Sequence, residues 1–302
     1  MIACRIKWWR RSRNDYTCGG DAKVYVVTGR RYVDAFFRRL SRRYYPPHAP
    51  RTPHDGVYFL HIPKTAGSSI GRYFERSFPA SEICPLWNWD DLATARPETL
   101  DQYRVFRGHF QGALPGYLGR RLMMLTMLRD PVERTISCYS YARCNADYPF
   151  HARAMAGTLR EYCLHPETRW RVENYQTTCI LTVLWGSGIR YDPEFEALFG
   201  TSYPLHRAIE HSTSRGVPPD VLAALAAVAL KQFAAVGITE AFSQSLEKFS
   251  RVLGVPVVSD AIRENATPRR PAAADLDAAT LETIEELTTA DRILYEQVRA
   301  RF

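Results

Sequence analysis

The stretch from Val57 to Ser69, VYFLHIPKTAGSS, decides the fold predicted for this 302-residue chain. Its first four residues are apolar and predict a short buried strand, which Pro63 ends. Small residues then open a predicted helix that runs from Ser68 to about Arg76. Strands that alternate with helices along a chain indicate an α/β fold, in which a parallel sheet is covered on both faces.

The loop between this strand and helix has the composition of an anion-binding site. The N–H groups at a helix N-terminus face one point, where the helix dipole is positive and Lys64 adds a full charge. A Walker A loop places its glycines before the lysine, whereas Gly67 follows Lys64 here. The sequence therefore predicts a phosphate-type site whose residue order differs from that of the usual nucleotide loop.

A second strand and helix lie within residues 125–139, LTMLRDPVERTISCY. Asp130 is a natural N-cap for the helix, and proline is tolerated at the next position. Arg129 then stands at the carboxyl end of a strand, where open α/β sheets bind ligands. Arg129 and Ser137, two turns into the helix, are suited to a phosphate group. The alternative is that Arg129 pairs locally with the acidic residues that follow it.

The same patterns predict the remaining elements of the α/β fold. Residues 79–103 are expected to be irregular, and residues 186–218 are a polar segment broken by proline and glycine. Further strands are expected at 104–108, 121–128 and 233–237. Helices are expected at 131–143, near 152–163 and 168–185, and at 219–231, 241–253 and 275–301.

Together the two phosphate-type segments resemble sulfotransferases that use 3′-phosphoadenosine 5′-phosphosulfate (PAPS). Residues 61–69 resemble the 5′-phosphosulfate loop of that family, and residues 128–131 with Ser137 resemble its 3′-phosphate strand and helix. The chain is most similar to the carbohydrate branch related to heparan sulfate 2-O-sulfotransferases and their bacterial relatives. The resemblance covers about residues 57–302 and implies a P-loop, nucleotide-kinase-like parallel sheet flanked by helices. Softer likeness is found at 108–110, 173–178, 236–240 and 265–271.

The resemblance also implies which residues bind the donor. Lys64 would stabilise the negative charge that builds on the leaving phosphate. PAPS is then the co-substrate and PAP the product, and this chemistry requires no metal. The residues expected to hold the 5′-phosphosulfate are Lys64, Thr65, Ala66, Gly67, Ser68 and Ser69. Those expected to hold the 3′-phosphate are Arg129 and Ser137, with Arg269 and Arg270 closing over it.

His109 is the predicted general base. It directly follows the strand predicted at 104–108, and a histidine titrates close to neutral pH. Related 2-O-sulfotransferases have a His-Gly-His segment here, whereas this chain has Arg107, Gly108 and His109. The change of the first histidine to arginine leaves His109 to act alone. A carboxylate base is the competing hypothesis, with Glu173 as its candidate.

The acceptor is expected to be a carbohydrate, and its predicted contacts are aromatic, basic and polar residues. Trp87 and Trp89 are candidates for stacking on sugar faces, although tryptophans beside a cleft also serve in packing. Arg107 is a candidate for binding an acidic group of the acceptor; the alternative is that it is solvated or paired within the protein. Glu173 and Gln176 complete the predicted substrate-binding set.

Charge divides the chain into a basic N-terminal arm, residues 1–50, and a sulfotransferase domain, residues 51–302. The arm holds twelve Lys or Arg and three Asp, a net charge of +9, whereas the whole chain carries +8. Within it, residues 30–45 place apolar side chains among six arginines, a pattern typical of helices that lie on anionic membranes. The alternatives are that this helix packs on the domain or that the arm is partly disordered.

The cellular setting is predicted from the lack of targeting signals. The longest apolar run, Val221 to Leu230, is far shorter than the ~20 residues that a membrane span needs. Seven cysteines without a C-x-x-C pair favour reduced thiols. These features indicate a cytoplasmic enzyme, with peripheral contact to the inner membrane face through the arm. No nucleic-acid-binding module is recognised.

The prediction is therefore a PAPS-dependent O-sulfotransferase that acts on a polysaccharide or glycolipid. One alternative is a phosphoryl transferase, or kinase, of related fold; the order of the Lys64 loop and the pair of Arg129 and Ser137 argue against it. The other alternative is a non-catalytic PAPS- or anion-binding membrane adaptor. The presence of both Lys64 and His109 argues against an adaptor. The oligomeric state is not predicted.

Overall fold

The computed structural model describes residues 55–88, 91–92, 95, 97–186, 217–257 and 270–302. Its centre is a four-stranded sheet in the order β2-β1-β3-β4, in which every neighbouring pair is parallel. This sheet confirms the predicted α/β class. The strands are β1 (Gly56–Leu60), β2 (Val105–Gly108), β3 (Leu122–Leu128) and β4 (Phe233–Ile238).

Helices flank the sheet. The helix after β1 is α1 (Gly67–Ser77), and the helix after β3 is α4 (Pro131–Cys144). The others are α2 (Pro97–Leu100), α3 (Leu114–Leu118), α5 (His151–Ala156), α6 (Leu159–Leu164), α7 (Tyr175–Gly186), α8 (Pro219–Ala229), α9 (Phe242–Leu253), α10 (Ala278–Leu287) and α11 (Thr289–Arg299). No helix of the described residues is long and apolar enough to cross a membrane.

The sheet is buried on both faces because side chains alternate along each strand. Tyr58 and Leu60 of β1 point into a core formed with α7, α8 and α11. Val57 and Phe59 point into the opposite core, which α1 and α9 cover. Two apolar layers therefore hold the strands, so their carboxyl ends are fixed in position.

Three predicted helices are wrong in extent. The helix expected near 152–163 is two helices, because Thr158 and Glu161 form a capping box that starts α6 anew. The helix expected at 168–185 begins only at Tyr175, after a 3₁₀ turn at Arg169–Arg171. The helix expected at 275–301 is divided into α10 and α11 at Thr288. The predicted basic arm lies outside the described residues, because the structure does not describe residues 1–54. Most of the predicted polar segment, residues 187–216, lies outside them as well.

Candidate active site

The sequence-predicted segments meet at one edge of the sheet. Within the sheet, Leu60 at the end of β1 pairs with Gly108 of β2 and with Thr126 of β3. The loop after β1 therefore lies between His109 and Arg129. A direct bond joins two of the segments, because Arg129 Nη1 donates to the carbonyl oxygen of Lys64 at 3.2 Å. Residues that lie up to 65 positions apart in the sequence thus form one site.

The loop after β1 has the backbone shape of an anion cradle. Lys64 and Ala66 have φ angles of 74° and 64°, in the left-handed region that non-glycine residues rarely occupy. Thr65 is fully buried, and its hydroxyl donates to Ile62 O at 2.8 Å. The first bond of α1 runs from Ile70 N–H to Ala66 O, so the helical ladder does not use the N–H groups of residues 67–69. Such N–H groups point towards an anion.

Gly67 is required by the packing of the loop against His61. A Cβ atom at position 67 would lie 1.7 Å from Nε2 of His61, far closer than atoms can approach. The His61 ring in turn stacks on His109, with 4.5 Å between ring centroids. The anion loop and His109 are therefore connected through one imidazole ring. Of the next two loop residues, Ser68 is exposed and Ser69 is buried.

Lys64 is a partly buried cation. Its Nζ atom lies 4.0 Å from the centre of the Tyr141 ring of α4, a favourable cation–π contact. Burial, together with the positive charges of Arg129, Arg134 and Arg171, lowers the pKa of Lys64 to about 8, although Cys138 acts in the opposite direction. An anion beside Lys64 would relieve this concentration of positive charge.

His109 has the geometry of a neutral imidazole with one free lone pair. Its Nδ1 atom lies 3.0 Å from the carbonyl oxygen of His61. A carbonyl can only accept, so Nδ1 carries the proton and Nε2 is the basic nitrogen. Burial lowers the pKa of His109 to about 4, with the positive charge of Arg171 adding to the effect and the bond to His61 opposing it. His109 is therefore neutral at pH 7.

Two arginines and one carboxylate form a cluster beyond the end of β3. Arg129 Nη2 lies 3.7 Å from Oε2 of Glu133, and Arg270 pairs with the same oxygen. The local pairing of Arg129 with an acidic neighbour is thus present, but it is shared with Arg270. Ser137 is buried one turn further along α4. Arg269 lies outside the described residues.

The end of β3 is held by side chains from distant parts of the chain. Gln176 is almost fully buried, and its amide accepts from Arg129 N–H and donates to Arg129 O, both at 2.9 Å. Glu240 accepts from Asp130 N–H at 3.1 Å. Asp130 caps α4 through the N–H groups of residues 132 and 133 and pairs with Arg292. These bonds fix the backbone from which the Arg129 side chain extends.

Several predicted substrate residues are committed to other contacts. Gln176 is used by the Arg129 backbone, so its amide is not presented to a substrate. Arg107 pairs with Glu75 at 2.8 Å and packs on the Trp87 ring. Glu173, also the alternative base, accepts two bonds from Arg169, at 2.8 and 3.1 Å. These are contacts of the protein without substrate, so the substrate-binding role of these residues stays a prediction. Trp89 lies outside the described residues.

Some residues of the site were not predicted. Tyr141 contacts Lys64; the spacing of four residues from Ser137 on one helix is a signal that would have indicated it. Arg134 is fully buried and donates to Arg171 O at 2.9 Å. Asn174 and Asp291 cap each other's helices: Asn174 Oδ1 accepts from the start of α11, and Asp291 accepts from the start of α7. No local pattern indicates this last pairing.

Among the described residues, no group of three His, Cys, Asp or Glu side chains has metal-binding geometry. The donor set instead matches a phosphate-bearing ligand. Nε of Arg129 and Nε of Arg270 are buried without hydrogen-bond partners, and guanidinium groups of this kind fit phosphate oxygens. Together with the cradle after β1, the site presents two separate groups of residues suited to binding anions.

Comparison with known proteins agrees with this geometry. Residues 47–183, which include the cradle, His109 and Arg129, match the family model described as "Sulfotransferase family". No curated protein matches the chain. Within this matched segment the chain is similar to that family, and the four-stranded parallel sheet flanked by helices is consistent with the sulfotransferase fold.

Proposed function

We propose that this protein is a PAPS-dependent O-sulfotransferase of the carbohydrate branch related to heparan sulfate 2-O-sulfotransferases. The observation that carries the proposal is the bond between Arg129 and the Lys64 carbonyl, because it joins the two anion sites at neighbouring strand ends. A nucleotide with a 5′-phosphosulfate and a 3′-phosphate has charges at two such separated points. The match of residues 47–183 to a sulfotransferase family supports the same activity.

The loop and the arginine cluster would divide the donor between them. N–H groups of the loop and the start of α1 bind the 5′-phosphosulfate, with Thr65 and Ser69 supporting the loop. Arg129 and Arg270 bind the 3′-phosphate, and Ser137 lies one turn further along α4 on the same side as Glu133. A nucleotide without a 3′-phosphate leaves both arginines without this partner. The site should therefore bind PAP much more tightly than ATP.

Lys64 stabilises the leaving group. In the transferring step the acceptor oxygen forms a bond to sulfur while the bond from sulfur to the bridging phosphate oxygen breaks, and PAP leaves with that electron pair. Negative charge grows on the bridging oxygen, where a nearby ammonium group stabilises the transition state more than the ground state. For this role Lys64 exchanges its contact with Tyr141 for the phosphate oxygens.

His109 removes the proton of the acceptor hydroxyl through Nε2. The carbonyl of His61 holds Nδ1 as the donor, so this tautomer is fixed before the acceptor arrives. A pKa of about 4 makes His109 a weak base in the unliganded protein. The negative charges of the donor raise this pKa, which strengthens the base only when the donor is bound. Its partner His61 keeps the ring in place by stacking.

A carbohydrate acceptor is proposed from aromatic surface beside these groups. The Trp87 ring lies 6.4 Å from the His109 ring, and Tyr141 is partly exposed beside Lys64. Sugar rings pack on such faces through their C–H groups. We further propose that the acceptor is made at the inner membrane face, where the net charge of +9 in residues 1–50 attracts the enzyme to anionic lipid.

Transfer of labelled sulfate from PAPS to a panel of bacterial polysaccharides and glycolipid precursors tests this proposal. Labelled product is expected from the unmodified protein, and it should be lost in Lys64→Ala. Lys231, an exposed residue of the loop before β4, gives a matched control in Lys231→Ala. Transfer of phosphate from ATP, without transfer from PAPS, would replace the proposal with a kinase. Binding of PAPS without turnover of any acceptor would favour an adaptor.

A further inference from the structure

We propose that Glu133 is a resident counter-anion that competes with the nucleotide 3′-phosphate for Arg129 and Arg270, and so sets how tightly PAP is held. This inference rests on the proposed function, because it assigns a further role within the same donor site. In the unliganded protein the Glu133 carboxylate neutralises the two guanidinium groups. The 3′-phosphate must displace it.

The contacts of Glu133 show that one carboxylate serves both arginines. Its Oε2 atom lies 3.7 Å from Arg129 Nη2, and Arg270 Nη2 pairs with the same atom. The side chains of Arg129 and Arg270 are 16% and 20% exposed, whereas that of Glu133 is 32% exposed. The arginines are thus held by the protein, while the carboxylate has direct access to water. Of the three groups, Glu133 is the one able to leave.

The direct ion pairs in the cluster are unequal in number. Two guanidinium groups pair with one carboxylate, and the Nε atoms of both arginines are buried without partners. Burial and the charge of Arg129 together lower the pKa of Arg270 to about 10. Burial lowers the pKa of Arg129, and the charges of Glu240 and Asp130 act to raise it, but the oxygens of these two carboxylates bind other groups. Asp130 caps α4 and pairs with Arg292, and Glu240 binds Asp130 N–H and the Tyr295 hydroxyl.

A phosphate dianion corrects this imbalance, whereas a carboxylate does not. A dianion matches the two positive charges and has enough oxygens to reach the unpartnered Nε atoms. Glu133 lies in the first turn of α4, where the helix dipole stabilises a carboxylate even after its partners are lost. Displacement therefore costs less than the loss of both ion pairs in a buried position. The remaining cost weakens the binding of PAP and speeds its release after each turnover.

Calorimetric titration of PAP and of AMP into the full chain and into Glu133→Gln tests the inference. The variant is expected to bind PAP about three- to tenfold more tightly, because no carboxylate has to be displaced. AMP, which has no 3′-phosphate, is expected to bind both proteins equally. Glu167→Gln is the matched control, because Glu167 pairs with Arg153 on the surface. This control should leave PAP affinity unchanged.

Glu133→Asp provides a second variant in case the glutamine variant folds poorly. It keeps the negative charge at the start of α4, but its shorter side chain reaches the arginines less well, so a smaller gain in PAP affinity is expected. The proposal would be overturned if both variants bound PAP no more tightly than the unmodified protein does, or if AMP gained as much affinity as PAP. If the unmodified protein binds PAP no better than AMP, the proposed function fails as well; these outcomes are therefore distinguishable.

Discussion

Replacing Lys64 with methionine should stabilise the unliganded protein near pH 7. The folded pKa of Lys64 is about 8, below its ordinary value of 10.5, chiefly because the group is buried. This difference corresponds to about 3 kcal/mol of unfavourable free energy for the charged form at neutral pH. Methionine fills similar space without charge but loses the cation–π contact with Tyr141, which is worth about 1 kcal/mol. A net gain of about 2 kcal/mol in the free energy of unfolding is expected.

The sign of the pH dependence follows from proton binding. Between pH 8 and pH 10.5 the unfolded chain holds the Lys64 proton, whereas the folded protein has released it. The stability of the unmodified protein therefore rises with pH in this window, relative to that of the variant. Lys64→Met should show its full advantage below pH 8 and lose it by about pH 10.5.

Thermal unfolding at pH 7 and at pH 10 measures this effect. For a domain of this size, 2 kcal/mol corresponds to a rise in Tm of about 5 °C at pH 7, and the rise should shrink at pH 10. Lys231→Met, which changes an exposed lysine, is the control and should leave Tm unchanged at both pH values. A destabilised variant, or an advantage that persists unchanged at high pH, would refute the reasoning. The same variant should lose sulfuryl transfer.

Three further outcomes are expected. His109→Ala should abolish turnover while the dissociation constant of PAP changes less than twofold; near-normal turnover would exclude His109 as the base. Gly67→Ala should lose PAP binding and several kcal/mol of stability, because its Cβ collides with the His61 ring; an unchanged Tm would contradict the described packing. Removal of residues 1–50 should abolish sedimentation with anionic vesicles but not with neutral ones, and unchanged sedimentation would end the membrane proposal.

Local sequence signals predicted the strand ends and the caps of this site. Asp130 followed by proline predicted the start of α4, and the structure confirms that Asp130 accepts bonds from the first turn. The apolar runs before Pro63 and Arg129 predicted β1 and β3. These predictions succeed because a buried strand and a helix cap each depend on residues that are adjacent in the sequence.

The roles of long polar side chains were harder to predict because their partners are distant. Arg107 pairs with Glu75, 32 positions away, and Gln176 binds Arg129, 47 positions away. Neither pairing leaves a periodic or local pattern. The division between α10 and α11 has the same origin, because Asn174 of another segment caps α11. Sequence patterns thus located the strand ends and the helix start of the candidate site but not the side chains that support it.

The donor site itself is tested most directly by calorimetric titration of PAP and ATP into the purified protein and into Arg129→Ala. The unmodified protein should bind PAP in the micromolar range and far more tightly than ATP. Arg129→Ala should lose ~1.5–3 kcal/mol of PAP binding free energy, the usual contribution of hydrogen bonds to a charged group, while its ATP binding changes little. No binding of PAP, or equal binding of ATP, would contradict the assignment of this site to a 3′-phosphorylated donor.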